Sequence, residues 1–179
     1  MIYGERIRFR HAEREDLPVF VAWLNDPELR HGIFMHLPMS LAREEAWFEE
    51  MIKRPLDEQI LVIEIKRGKD WKAIGTCSYH KVDWRVRSAE VGIMIGEKDQ
   101  WDKGYGTETI RLLIKHGFET LNLNRIDLQV YDDNPRAIRA YEKAGFVHEG
   151  RLRQAQYIDG RYVDVLRMSV LRSEWELQK

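Results

Sequence analysis

The sequence predicts one α/β domain with an antiparallel front half and a strand–helix–strand–helix–strand back half. Short runs with an apolar residue at every second position indicate half-buried strands, as in residues 6–10. Longer segments carry apolar residues at helical spacing, as in residues 107–120. No linker, repeat or low-complexity tract interrupts the chain, so we expect a single domain over residues 1–179.

Composition restricts the class of protein. Hydrophobic residues make up 44% of the chain and charged residues 33%, which is typical of a folded globular protein. The formal net charge of -1 gives no basic excess of the kind that nucleic-acid binders usually carry. No apolar run approaches the ~18 residues of a membrane span, and the first residues do not resemble a signal peptide. We therefore expect a cytoplasmic protein without a nucleic-acid or membrane partner.

The front half begins with a strand and two helices. Apolar residues alternate with arginines over residues 6–10. A helix begins at Asp16 and ends before residues 25–27, because their sequence Asn-Asp-Pro is typical of a turn. Ser40 is a suitable N-cap for a second helix, since its hydroxyl can accept a hydrogen bond from an unpaired backbone N–H.

Three strands follow, and turn residues separate the first two. Residues 60–66 and 71–81 have strand composition, and Gly68 between them favours a hairpin. The third strand covers residues 89–96 and leads into a turn that contains glycines.

The back half alternates helices and strands. Asn134 followed by Pro135 is typical of a helix start, and Gly145 is well placed to end that helix. Asp159 and Gly160 form a strong hairpin signal, because both residue types tolerate positive φ. The predicted elements are a helix over 107–120, a strand over 125–130, a helix from 135, a strand after 146, and hairpin strands over 154–158 and 162–171.

The most informative segment is the turn between the third strand and the following helix, which contains Gly104 and Gly106. The first turn of a helix leaves backbone N–H groups unpaired and carries the positive end of the helix dipole. Glycines let a phosphate approach the backbone closely, so the turn predicts a diphosphate site. Spacing excludes two other loops. Thr109 stands where a dinucleotide-binding loop needs its third glycine, and Lys103 precedes the glycine instead of following it as in a Walker loop.

A second segment, residues 134–146, reads Asn-Pro-Arg-Ala-Ile-Arg-Ala-Tyr-Glu-Lys-Ala-Gly-Phe. Together with the glycine turn it resembles the GNAT superfamily of acyl-CoA-dependent N-acyltransferases. The resemblance is strongest to the branch of ribosomal-protein N-terminal acetyltransferases and spermidine acetyltransferases, and it extends from Arg6 to about Leu171. It implies a mostly antiparallel central sheet that splays open, flanking helices, a C-terminal β-hairpin and acetyl-CoA held in the gap as the cosubstrate.

The resemblance assigns the donor site residue by residue. Backbone groups of Ile93, Met94 and Ile95 pair with the pantetheine amides as an added strand would, and an N–H of this strand polarises the thioester carbonyl. Lys103 either contacts a phosphate or is a solvated loop lysine. The backbone that holds the pyrophosphate is that of Trp101, Asp102, Lys103, Gly104, Tyr105, Gly106 and Thr107.

Three residues of the second segment are expected beside the pantetheine arm and the sulfur. The resemblance gives Asn134 a hydrogen bond to the pantetheine in addition to its role as a helix cap. Ala137 is small enough for the cofactor to pass close to the helix. Tyr141 lies about two turns beyond Asn134 on the same helix face and is the candidate general acid for the leaving thiolate.

The acceptor amine must lose a proton, and Glu90 is the candidate catalytic base. The alternative for Glu90 is a strand-end carboxylate that pairs with Arg87 or Lys81. Cys77 is interpreted as a small buried strand residue rather than a nucleophile, and as the single cysteine it excludes an intramolecular disulfide. The six histidines lack the spacing of metal ligands, so we expect no metal.

The acceptor amine is predicted less well than the donor. It should enter between residues 23–48 and the hairpin residues 154–163. A protein α-amine ranks first, because the branch that the sequence resembles includes ribosomal-protein N-terminal acetyltransferases. The alternatives are a small-molecule amine (polyamine, amino sugar or aminoglycoside) or a noncatalytic acyl-CoA-binding module. The resemblance also allows a homodimer. Candidate groups in this region are Arg30, His31, Met35 and His36, the aromatic anchors Trp23, Phe34, Trp47 and Tyr157, and the carboxylates Glu44, Glu45, Glu49 and Glu50.

Overall fold

The computed structural model describes residues 1–30, 32–33 and 37–177. Its centre is one eight-stranded sheet with the strand order β1-β2-β3-β4-β5-β6-β8-β7. The strands are β1 (Ile2–Tyr3), β2 (Ile7–His11), β3 (Leu61–Arg67), β4 (Asp70–Asp83), β5 (Ser88–Ile95), β6 (Arg125–Tyr131), β7 (Val147–Ile158) and β8 (Arg161–Leu171). The helices are α1 (Leu17–Asn25), α2 (Pro27–Arg30), α3 (Leu41–Met51), α4 (Tyr105–Glu119), α5 (Pro135–Lys143) and α6 (Arg172–Glu176).

Helices cover both faces of the sheet and create two cores. The larger core joins α4 and α5 to the strand residues that face them, among them Ala89 and Val91 of β5. The smaller core packs α1 and α3 on the opposite face, where Met94 of β5 contacts it. Since successive strand residues point to opposite faces, Glu90, like Met94, lies on the face of α1 and α3.

The sheet splays open between β5 and β6. These two strands are parallel, and they pair only from Ser88–Arg125 to Glu90–Asp127. Beyond that point β5 continues to Ile95 beside β4, while β6 continues to Tyr131 beside β8. The other neighbours in the sheet are antiparallel. The mixed, mostly antiparallel and splayed sheet that the resemblance implied is therefore confirmed, together with its C-terminal hairpin.

The predicted signals at element ends have the expected geometry. The Ser40 hydroxyl accepts a hydrogen bond from the Arg43 N–H at 3.2 Å and caps α3. Gly145 ends α5 with φ of 99°, in the left-handed region that favours glycine. Asp159 and Gly160 have φ of 49° and 82°, as the two central residues of a tight hairpin require.

Three elements were not predicted: β1, α2 and α6. They contain 2, 4 and 5 residues, which is too short to show a periodic pattern. The structure also makes β7 one strand rather than two segments. Its pairing with β8 is irregular between Leu152 and Gln156, where the sequence pattern breaks. No helix of the described ranges is long and apolar enough to cross a membrane.

Candidate active site

A cavity of about 590 Å³ lies between the open end of β5, the glycine turn and α5. Of the residues assigned to the donor site from sequence, all but Lys103 line it, and so does the predicted acid. They are Ile93, Met94, Ile95, Trp101, Asp102, Gly104, Tyr105, Gly106, Thr107, Asn134, Ala137 and Tyr141. Two segments about forty residues apart in sequence are therefore brought together at the gap in the sheet.

The glycine turn presents the N-terminus of α4 to the cavity. Gly104 has φ of 85° and immediately precedes the helix, which is 15 residues long. Because glycine has no side chain with which to cap the helix, first-turn N–H groups remain available to an anion. A β-carbon on Gly106 would meet no atom within 4 Å. The open space beside these amides fits a diphosphate.

Arg6 holds the turn from behind. Its Nη1 donates to the carbonyl oxygen of Lys103 at 3.2 Å, and its Nε donates to Glu108 Oε2 at 2.7 Å. Its guanidinium also lies 4.7 Å from the centre of the Tyr105 ring. Lys103 itself does not line the cavity, so its predicted phosphate contact stays a prediction.

Sequence reasoning missed a row of cations on α5. Arg136, Arg139 and Lys143 line the cavity and lie three and four residues apart, which places them on one face of the helix. The Arg136 guanidinium lies 3.6 Å from the centre of the Trp101 ring, and the Trp101 N–H donates to the carbonyl of Ile95 at 2.7 Å. The spacing of three and four residues was the sequence signal that could have revealed this row. The row gives the cavity a positive rim suited to phosphates.

Tyr141 is buried, with 9% of its surface exposed, and its ring lies 6.0 Å from that of Phe146. Burial raises the pKa of Tyr141 to about 12, so the phenol stays protonated at neutral pH. A protonated hydroxyl at the cavity wall can donate to a sulfur that gains negative charge.

Asn134 and Ala137 occupy the first turn of α5. Asn134 Oδ1 accepts a hydrogen bond from the Ala137 N–H at 3.1 Å, which confirms the helix-cap role. The cap uses the amide oxygen and leaves the amide nitrogen available as a donor, and Asn134 lines the cavity. The two roles predicted for Asn134 are therefore compatible.

Glu90 lies where the pairing of β5 with β6 ends, outside the cavity wall. Its Oε2 accepts hydrogen bonds from Lys81 Nζ at 3.0 Å and from Gln129 Nε2 at 3.1 Å. Burial alone would raise the pKa of Glu90. The hydrogen bonds from Lys81 and Gln129 and the positive charge of Lys81 outweigh burial and lower the pKa below its usual value. The pairing with Lys81 that sequence offered as the alternative is present. The role as base stays a prediction.

Cys77 is buried, and burial raises the pKa of its thiol far above the usual range. It therefore stays an unreactive thiol. Among the described residues, no group of three or more histidine, cysteine, aspartate or glutamate side chains is arranged to hold a metal ion.

The acceptor side differs from the prediction at Trp23. Trp23 is buried in the smaller core, and its indole N–H donates to Glu97 Oε1 at 3.2 Å. Trp47 packs beside the same core, whereas Tyr157 is exposed. Trp23 is thus a packing residue rather than an open anchor. The candidates His31, Phe34, Met35 and His36 lie outside the described residues.

The contact of Trp23 with Gly96 gives a stability prediction. A β-carbon on Gly96 would lie 2.1 Å from the Trp23 ring, whereas one on Gly150 would meet nothing within 4 Å. Because the ring cannot move within a packed core, Gly96→Ala is expected to lower the free energy of unfolding by about 1–3 kcal/mol. Gly150→Ala is expected to change it by less than about 0.5 kcal/mol. Urea unfolding measures both, and equal midpoints would contradict the contact.

The open sheet, the glycine turn at a helix N-terminus and the buried tyrosine are the arrangement that the resemblance implied for an acyl-CoA-dependent acyltransferase. Residues 6–147 match the family model described as an acetyltransferase (GNAT) domain. The chain belongs to this family, as its sequence motifs predicted. It is an acyltransferase with acetyl-CoA as its cosubstrate.

Individual relatives cover the chain to different extents. The spermidine N(1)-acetyltransferase of Vibrio cholerae is 39% identical over 172 residues, which are 96% of each chain. The putative ribosomal N-acetyltransferase YdaF of Bacillus subtilis is 34% identical over 110 residues, 62% of this chain and 60% of that protein. A spermidine N-acetyltransferase from Vibrio cholerae, solved with CoA and spermine, superposes with a TM-score of 0.87, covering 97% of this chain and 99% of that one. The identity over that superposition is 30%. These relatives favour the small-molecule alternative over the protein α-amine that ranked first.

Proposed function

We propose that this protein transfers the acetyl group of acetyl-CoA to a primary amine of a polyamine such as spermidine. The observation that carries the proposal is the end-to-end match to a spermidine N(1)-acetyltransferase, over 96% of both chains. The relative described as a ribosomal acetyltransferase matches only 62% of this chain. A match over nearly the whole chain, which includes the first helices where we predict that the acceptor enters, is better evidence about the acceptor than a match over 62% of the chain.

The donor side of the proposal rests on the cavity. Backbone amides around Gly104 and Gly106 hold the pyrophosphate, and the cations of α5 hold further phosphate charge. Ile93 to Ile95 offer backbone groups at the strand edge that β6 has left, so an extended pantetheine arm can bond there. Asn134 donates its amide N–H to the same arm.

The acceptor side of the proposal rests on Glu90 and Asp127. They are partners in the last pair between β5 and β6, so their carboxylates lie on the same face, beside the opening of the gap. Lys81 already pairs with Glu90, but its side chain is 71% exposed. Exposed ion pairs contribute little to stability. An ammonium group of the substrate can therefore replace Lys81 against Glu90.

The reaction proposed is direct attack of the amine on the thioester. Tyr141 faces the cavity from α5 and donates a hydrogen bond and then a proton to the departing sulfur. A strand N–H near Ile93 stabilises the negative charge on the carbonyl oxygen. No covalent enzyme intermediate is needed, in agreement with the buried, unreactive Cys77.

The test is a comparison of acceptors at fixed acetyl-CoA. Spermidine, spermine, an amino sugar, an aminoglycoside and a peptide with an N-terminal alanine are each assayed by release of the CoA thiol. We expect the highest kcat/KM with spermidine or spermine, at least ~10²-fold above the peptide, because a peptide offers one cation and a polyamine several. A preference for the peptide would reverse the proposed acceptor and leave the donor assignment intact.

A further inference from the structure

His80 lies on β4 directly opposite Glu90, and its ring covers Gly92, which is two residues further along β5 and pairs with Ser78. A β-carbon on residue 92 would lie 2.9 Å from His80 Nε2, so this place in β5 must be glycine if the ring is to stay. Ser78, which is buried, fixes the ring from the same strand, with its Oγ 2.8 Å from His80 Nε2. The imidazole thus lies over Gly92, the residue that immediately precedes Ile93 of the cavity wall.

His80 and Tyr141 lie on opposite faces of the sheet. Tyr141 belongs to the core on the face of α4 and α5. His80 pairs with Glu90, and directly paired residues share a face, which here is that of α1 and α3. The His80 ring reaches from β4 over Gly92 of β5, the strand that borders the gap, so a thioester at that strand would have the tyrosine on one face and the histidine on the other. An acid for the leaving sulfur and a base for the attacking amine need this separation.

The charged surroundings decide which group on this face can act as a base near neutral pH. Glu90 holds two hydrogen bonds, and its lowered pKa makes it a weak base. Burial lowers the pKa of His80 below its usual value, Arg54 and Lys81 add to the lowering, and Glu90 and Glu58 oppose it. His80 is therefore neutral at pH 7, with a basic ring nitrogen.

We propose that His80 is the catalytic proton acceptor for the amine, while Glu90 attracts the ammonium group and stabilises the imidazolium that forms. The assignment rests on the proposed function as an amine acetyltransferase and holds for any amine acceptor. Ser78 selects the tautomer that this role needs, because its Oγ accepts from Nε2–H in both the neutral and the protonated ring and leaves Nδ1 as the basic nitrogen.

Atoms and charges balance over the cycle. The substrate ammonium gives one proton to His80 Nδ1, and the free amine forms the N–C bond. The C–S bond breaks with its electron pair on sulfur, which takes the proton of Tyr141. The second proton on the new amide nitrogen returns through water to the Tyr141 oxygen, and the imidazolium releases its proton to solvent. One proton is released for each acetyl group transferred.

The test is the pH dependence of the acetyl-transfer rate in single turnovers from pH 5 to 9, with the amine that the wild-type enzyme uses best. We expect the wild-type rate to fall tenfold per pH unit on the acid side of the pKa of His80, which lies below the usual value for histidine. His80→Gln should lose this acid limb and be slower at pH 7 by roughly 10²-fold. Glu90→Gln should keep the limb but move it to lower pH, since the carboxylate that raises the pKa of His80 is gone. The titration of His80 in wild-type protein, followed by NMR of its ring protons, should give the same pKa as the limb.

Two controls separate a lost base from a damaged fold. Acetyl-CoA affinity of His80→Gln, measured by calorimetry, should equal that of wild type, because His80 does not line the donor cavity. His148→Gln removes an exposed histidine that pairs with Glu142 and should leave the profile unchanged. An acid limb that survives in His80→Gln, or that vanishes only in Glu90→Gln, would overturn the assignment to His80. Absence of turnover in wild type with every amine would instead refute the proposed function, and the assignment with it.

Discussion

Replacing Tyr141 with phenylalanine is expected to lower kcat by roughly 10²-fold, within the usual range for loss of a general acid. The change removes one hydroxyl from the cavity wall and keeps the ring that packs against Phe146. Because the ring is retained, we expect the melting temperature and the affinity for acetyl-CoA to stay close to wild type. Steady-state rates combined with calorimetry measure all three quantities.

Tyr131 offers a matched control for Tyr141. It is also a buried tyrosine whose pKa is raised to about 12, but it does not line the donor cavity. Tyr131→Phe is therefore expected to leave kcat unchanged. An unchanged rate of the chemical step in Tyr141→Phe, measured in single turnovers so that product release cannot mask it, would reduce Tyr141 to a packing residue.

The donor side could be predicted from sequence because its chemistry resides in two continuous segments. Gly104 and Gly106 act through local backbone geometry, and Asn134 and Tyr141 are placed on one face by helix periodicity alone. Each of these features is set by residues a few positions apart. The cation row of α5 was equally local, and Arg136 and Arg139 could have been found by the same spacing argument.

The acceptor side could not be predicted in this way, because its groups meet only through strand register. His80 and Glu90 are ten residues apart and face each other because β4 and β5 pair in one particular register. A shift by one residue would place them on opposite faces. Trp23 illustrates the same limit: its burial depends on the close approach of Gly96, which follows β5 and is distant from Trp23 in sequence. From the sequence alone, Trp23 was as good a candidate for an exposed aromatic anchor as for a buried packing residue.

The largest effect on donor binding is expected from Gly106→Val. A β-carbon at this position meets no atom within 4 Å, and Gly106 lines the cavity. The fold should therefore tolerate valine, because the helix propensity of valine is no lower than that of the glycine it replaces. The branched side chain would occupy the space in which a phosphate approaches the first-turn amides. Each lost hydrogen bond to a charged group costs about 1.5–3 kcal/mol, so the loss of two should lower the affinity for acetyl-CoA by at least ~10²-fold.

Gly104→Val should weaken acetyl-CoA binding as well, but for two reasons that must be separated. Gly104 has φ of 85°, where a β-branched residue is strained, and its β-carbon would lie 3.3 Å from Arg6 Nη2. Gly68 also has positive φ, 62°, lies in the β3–β4 hairpin and has no atom within 4 Å of its β-carbon position. Gly68→Val therefore reproduces the backbone strain alone, and should lower stability while keeping the affinity for acetyl-CoA. Calorimetric titration and thermal unfolding of all three variants distinguish the effects. A stably folded Gly106→Val protein with wild-type affinity would show that the phosphates bind elsewhere, because valine there blocks the cradle without straining the backbone.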